Sequence, residues 1–162
     1  MSSCPLADFD PDRAARGLSA DLIAGVLQRF DGRLSGTTLL ALDPGDALLW
    51  LQRGSDDGDP LDRFVDWGGR LLAGVVEALA SAFHVQARLG EPSLEESPLM
   101  AALMRTHAPP DTVVISLHGE LGFPVSNVPE IRAPFAIQVL LEPKVVRGIL
   151  VRLAGDGDGA TA

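Results

Sequence analysis

Asp59-Pro60-Leu-Asp62-Arg-Phe-Val-Asp66-Trp-Gly-Gly69-Arg70-Leu-Leu-Ala-Gly-Val-Val-Glu-Ala-Leu-Ala-Ser-Ala-Phe83 reads as one long helix, around which the other elements can be placed. Asp59 is a candidate N-cap and Pro60 fits the first helical position, where the missing N–H costs nothing. Leu61, Phe64, Val65, Gly68, Leu72, Val75, Leu79 and Phe83 recur at three- and four-residue intervals and define a buried face. Asp62, Asp66, Gly69, Ala73 and Glu77 are expected on the opposite side. Two like charges four residues apart cost about 0.2–0.5 kcal/mol in an isolated helix. The helix dipole offsets that cost at Asp62, and Arg70 is placed to pair with Asp66. Gly68-Gly69 in mid-helix costs about 2 kcal/mol relative to two alanines, so another element must approach closely there. On spacing alone, the acids belong to a solvated face and the glycines to a packing contact.

Outward from this helix, helices and strands mix without a strict alternation, which argues for an α+β domain. Leu22–Phe30 and Gly36–Leu42 read as a strand pair joined at Asp31-Gly32. Ala47–Gln52 reads as a short helix, and Gly54–Gly58 as a flexible acidic loop. After the long helix come a strand at His84–Leu89, a loop at Gly90–Ser93 and a helix at Pro98–His107. Thr112–Gly119 is a β-branched strand, and 120–130 is a loop. Pro134–Leu141 is a strand and Pro143–Leu153 a helix. Residues 1–20 are expected to be a loose lead-in, 21–154 the folded domain and 155–162 a disordered tail.

Composition narrows the function. The chain has 162 residues, a net charge of −9 and a single lysine, Lys144. Its field repels phosphate backbones and anionic lipid, so nucleic acid and membrane surfaces are not expected partners. Eight aromatic residues and no tyrosine supply few stacking platforms. The lone Cys4, with no signal-like N-terminus and no apolar run of membrane length, points to a cytoplasmic protein. His84, His107 and His118 are not at ligand spacing, so no metal site is expected. Asp156-Gly-Asp158-Gly lacks most ligands of a calcium loop and reads as tail. Trp67 flanks Asp66 and is read as an interface anchor, with a core role as the alternative.

Three stretches in order resemble the CheC/CheX/FliY family of chemotaxis phosphatases. They are Phe30-Asp-Gly-Arg-Leu-Ser-Gly-Thr-Thr-Leu-Leu-Ala-Leu42, the helix from Asp62 to Gly74, and His84-Val-Gln-Ala-Arg-Leu-Gly-Glu-Pro-Ser93. The resemblance spans roughly 22–153, at the level of pattern more than identity. It implies an α+β domain whose antiparallel or mixed sheet is packed by the long helix and shorter ones. It also implies the helix signature D/S-x3-E-x2-N, whose acid meets a response regulator's lysine and whose amide holds the attacking water. Residue by residue, Asp62 matches, Asp66 replaces the Glu, and Gly69 replaces the Asn.

A glycine offers no side chain to orient water near a phosphoryl group. The resemblance therefore implies partner binding through Asp62, Asp66, Trp67, Gly69 and Arg70, with little or no phosphatase chemistry. The alternative is an active aspartyl-phosphate phosphatase in which Asp66 is catalytic. The implied partner is a CheY-like response regulator or a flagellar or chemotaxis protein. No cofactor is implied, since a regulator carries its own magnesium. A homodimer through strand edges is also plausible. On this reading, Gly69→Asn combined with Asp66→Glu is expected to raise phosphatase activity.

Overall fold

The computed structural model describes residues 1–155 except 16, 20, 53–57, 126 and 127. Almost all of the expected acidic loop and nearly the whole expected tail lie outside the described residues. In chain order the strands are β1 (Ser2–Pro5), β2 (Ile23–Gly32), β3 (Gly36–Leu42), β4 (Ala87–Ser97), β5 (Val113–Val125) and β6 (Val128–Leu141). The helices are α1 (Pro11–Ala15), α2 (Pro44–Gln52), α3 (Pro60–Ala82), α4 (Leu99–Met104) and α5 (Pro143–Gly155). The six strands form one sheet in the order β1-β5-β6-β3-β2-β4, and every pairing is antiparallel. This is the expected α+β architecture.

Central β3 shows why the sheet has two covered faces. Leu39, Leu40, Ala41 and Leu42 are all fully buried, and alternate side chains point to opposite sides. Leu40 and Leu42 join Phe64, Leu72 and Val76 of α3, Ala47 of α2, and Val145 and Ile149 of α5. Leu39 and Ala41 join Leu6, Ala14, Leu99 and Leu103 on the other side, under α1 and α4. β2 and β3 form the expected hairpin, with Phe30 pairing Gly36, but β2 runs on through the expected turn at Asp31-Gly32 to pair with β4, and Gly32 takes φ +119°, a conformation that favours glycine.

Three expectations are corrected. Residues 2–15 are not a loose lead-in: β1 pairs with β5 from Ser2↔Ser116 to Pro5↔Val113, and Leu6, Phe9, Ala14 and Ala15 are buried. Their apolar signal is split among elements of three to five residues, too short to show a period. Second, 90–93 belong to β4 and not to a loop. The ladder shifts between Gln28↔Pro92 and Phe30↔Leu89, so two residues of β4 oppose Arg29. Gln28 Nε2 donates to Gly90 O at 2.9 Å across this bulge. β4 is an edge strand, where a proline and a bulge are both tolerated. Third, 120–130 is mostly a hairpin, with β5 running to Val125 and β6 starting at Val128. The register shift between Phe123 and Val125 places Pro124 at an irregularity. β1 covers β5 only over 113–116, so the outer side of the arm needs no donor from its prolines.

The glycine pair of α3 meets the close approach that its helical cost demanded. A Cβ on Gly68 would lie 2.5 Å from Val26 Cγ2 and 3.3 Å from Leu40 Cδ2. Gly68→Ala therefore trades about 1 kcal/mol of helix propensity for a clash with a branched core side chain. The expected net result is a loss of about 1–2 kcal/mol, read as a lower urea midpoint at unchanged m-value.

Candidate functional site on α3

α3 begins as its sequence dictates. Asp59 Oδ1 accepts from Leu61 N at 2.9 Å, and Pro60 occupies the first turn. From that start the helix sets its roll by burying Phe64, Gly68, Gly69, Leu72, Val76 and Ala80. This is a rotated version of the expected face. Leu61 is exposed, while Val65, Val75, Leu79 and Phe83 are half-buried. Gly69 changes sides altogether.

The exposed strip carries Asp62, Asp66 and Arg70, continuing to Gly74 and Glu77. Asp66 and Arg70 do not form the expected ion pair. Among the described residues the ion pairs include Arg88–Asp31, Arg132–Glu120 and Lys144–Glu142, all elsewhere on the surface. Asp62, Asp66 and Arg70 are thus exposed, with no ion-pair partner among the described residues.

Trp67 is half-buried beside this strip and packs against the core, as the core reading expects in part. Its ring lies 5.1 Å from Trp50 of α2 and 5.7 Å from Phe64, while Trp50 meets Phe64 edge-on at 5.5 Å and 68°. Such an aromatic cluster adds about 0.5–1.5 kcal/mol per pair beyond its burial and holds Trp67 in one orientation. On α2, burial and then the neighbouring Asp43 carboxylate raise the Asp46 carboxyl above its ordinary 3.8. Protonation therefore favours the native state, and its contribution grows as pH falls through that raised value. Asp46→Asn is expected to raise the melting temperature slightly at neutral pH, with the gain vanishing in acid.

Position 69 is the main surprise of the site. Gly69 is buried, and a Cβ there would lie 2.8 Å from Pro92 Cγ and 3.0 Å from Pro92 Cβ. The proline of edge strand β4 therefore occupies the volume an asparagine side chain would need. Gly69 can contribute no side chain to a surface shared with Asp66, and its backbone belongs to the helix. Of the five residues expected on a binding face, the fold brings Asp62, Asp66, Trp67 and Arg70 together and withdraws Gly69. A signal for this was present in the sequence: Gly-Gly demanded a close neighbour, and Pro92 lies in the third quoted stretch.

Comparison with known proteins bears on the fold. No family model matches the chain, and no curated protein matches it. Among solved structures, the crystal structure of Thermotoga maritima FliY superposes with a TM-score of 0.54 at 10% sequence identity, covering 92% of this chain and 76% of that one. At that identity the likeness is one of fold. The chain has a FliY-like α+β fold. None of its described helices is long and apolar enough to cross a membrane.

Proposed function

We propose that this chain is a chemotaxis or two-component signalling protein of the CheC/CheX type, working in the cytoplasm. It docks a CheY-like response regulator, or a related switch partner, on the exposed strip of α3, and has little or no phosphatase activity. The observation that carries this reading is the strip itself. Asp62, Asp66 and Arg70 present uncompensated charge beside a half-buried tryptophan, while the position three residues after Asp66 is filled from below by Pro92. Asp66 offers an anion for a regulator's lysine. Position 69, a buried glycine, supplies no amide to hold a water in line with a phosphoryl group, which is the positioning such a hydrolysis needs. Regulator-bound magnesium would remain the partner's own.

The test mixes the protein with phosphorylated regulators, each loaded with magnesium. Binding is expected without acceleration of phosphate loss. Reversing one charge, Asp66→Lys, is expected to weaken binding about tenfold or more, mostly through the association rate and most clearly at low salt. Dephosphorylation faster than the regulator's own decay, abolished in Asp66→Ala, would replace this reading with the enzymatic one. Binding indifferent to Asp66→Lys would remove α3 as the docking element.

A further inference from the structure

The face of the sheet away from α3 is covered in two unequal ways. α4 sets Leu99, Ala102 and Leu103 into it, all fully buried. Residues 2–15 lie along β5 in three pieces of four, three and five residues: β1, a single 3-10 turn at Leu6–Asp8, and α1. Leu6 and Phe9 are the only large side chains that this segment buries, at 6% and 8% exposure, with Ala14 and Ala15 beside them. A one-turn helix and a four-residue strand have no stability of their own, so these contacts and the β1 ladder hold the whole segment. That ladder runs from Ser2↔Ser116 to Pro5↔Val113, and Pro5 has no N–H to give it.

The floor beside the segment is polar. Side chains alternate along a strand, so Thr112, Ser116 and His118 share the face on which Val114 joins the cluster of Leu6 and Phe9. Ser116 Oγ donates to Gln138 Oε1 on the neighbouring β6, and His118 Nε2 donates to the carbonyl of Ala14. Leu6 N donates to Thr112 O at 2.7 Å and Ala7 N to Pro110 O at 2.9 Å, which seats the segment on this stretch. Gln138 is fully buried, yet its Nε2 has no hydrogen-bond partner, and the buried Thr112 hydroxyl has none either. Such groups are costly while closed off and are satisfied once water enters. The closed segment is therefore held less firmly than its apolar burial suggests. Gly17 follows α1 at φ +86°, a turn that glycine makes without strain and a natural hinge.

We propose that residues 2–15 form a strap that opens as one unit while the rest of the domain stays folded. Opening frees the outer edge of β5 from Val113 onward, where β1 is the only neighbouring strand, and admits water to Gln138 and Thr112. The opposite edge of the sheet is guarded by Pro92 and the bulge of β4, whereas β5 has no proline between Val113 and Phe123. The strap is thus a removable cover on the less guarded edge, and the bond from His118 to Ala14 is its latch. α3 lies on the other face, so the strap is independent of the docking strip.

Amide hydrogen exchange of the full chain tests this, read at Leu6, Ala7 and Ala14 under conditions where exchange follows the open population. These amides are expected to share one opening equilibrium and to exchange about a hundredfold or more faster than global unfolding allows. Val76→Ala, in the layer under α3, should lower the urea midpoint yet leave that exchange within about twofold. His118→Phe should speed it about fivefold or more, and Gln138→Leu combined with Ser116→Ala should slow it by a similar factor, because an apolar floor holds the strap more tightly. Exchange that accelerates in step with the stability lost in Val76→Ala would overturn independent opening. Protection that rises gradually from Leu6 to Ala14 would overturn the single unit, and unchanged exchange in His118→Phe would overturn the latch. Exchange no slower in the Gln138 and Ser116 double variant would overturn the part given to the polar floor.

Discussion

Phe64→Ala is expected to lower the stability of this domain by about 3–5 kcal/mol, the largest single-residue loss argued from the fold. Phe64 is fully buried, and it touches both the sheet core and the two tryptophans. Removing the ring forfeits its transfer energy and leaves a cavity walled by Trp50 and Trp67, which are held by their own helices and close in only partly. Domains of this size have about 5–15 kcal/mol to lose. The melting temperature should fall by about 6–20 °C. Phe64→Leu keeps most of the volume and should cost less than half as much. The consequence reaches the surface, because Trp67 loses the ring that orients it. Partner binding should then weaken in Phe64→Leu even where the protein remains folded. A melting temperature within 2 °C of the parent's for Phe64→Ala, by calorimetry, would show that the aromatic cluster is not the keystone of α3.

Gly69→Asn is expected to destabilise the protein by about 1–3 kcal/mol and to bring no phosphatase activity, alone or with Asp66→Glu. This reverses the expectation drawn from the sequence pattern. Asparagine is a better helix former than glycine, so propensity alone favours the change by a few tenths of a kcal/mol. Against it stands the Pro92 ring, 2.8 Å from where the new Cβ must go. A proline ring has no rotamer to escape into. The edge strand would have to move outward, straining the bulge that Gln28 ties to Gly90 at 2.9 Å. The partner change tests the cause. Pro92→Gly costs stability alone, but combined with Gly69→Asn it should recover part of the loss, giving a coupling energy of about 1 kcal/mol in a double-mutant cycle. Additive effects would mean that Pro92 is not what fills the site. Strong dephosphorylation of a regulator by Gly69→Asn would mean that the side chain finds the surface after all.

Much of the fold was legible because its signals are local. The cap at Asp59 and the proline at position 60 act within one helix and appear where they were expected, and the apolar period of α3 marked a buried face that the structure rotates. The strands at 23–32 and 36–42 were expected as a pair, although the first runs on through Asp31-Gly32, where a turn was expected. Elements were misjudged where neighbours override a local breaker. Pro92 reads as a loop residue until β2 supplies the ladder beside it, and Pro124 does so until β6 returns alongside. The N-terminal residues have no period of their own and gain structure only by adding a strand to β5.

The candidate site divides in the same way. Asp62, Asp66 and Arg70 fall on one exposed strip because helical geometry places residues four apart together, which spacing alone determines. Gly69 was assigned to that strip because glycine carries no hydrophobic or polar mark to say which way it faces. Its burial was decided by Pro92, 23 positions away along the chain, which only the sheet brings into contact. The sequence by itself determined a helix with an acidic strip and a demand for close packing. The tertiary structure decided what meets that demand, because contact between distant segments depends on the register and layering of the whole sheet.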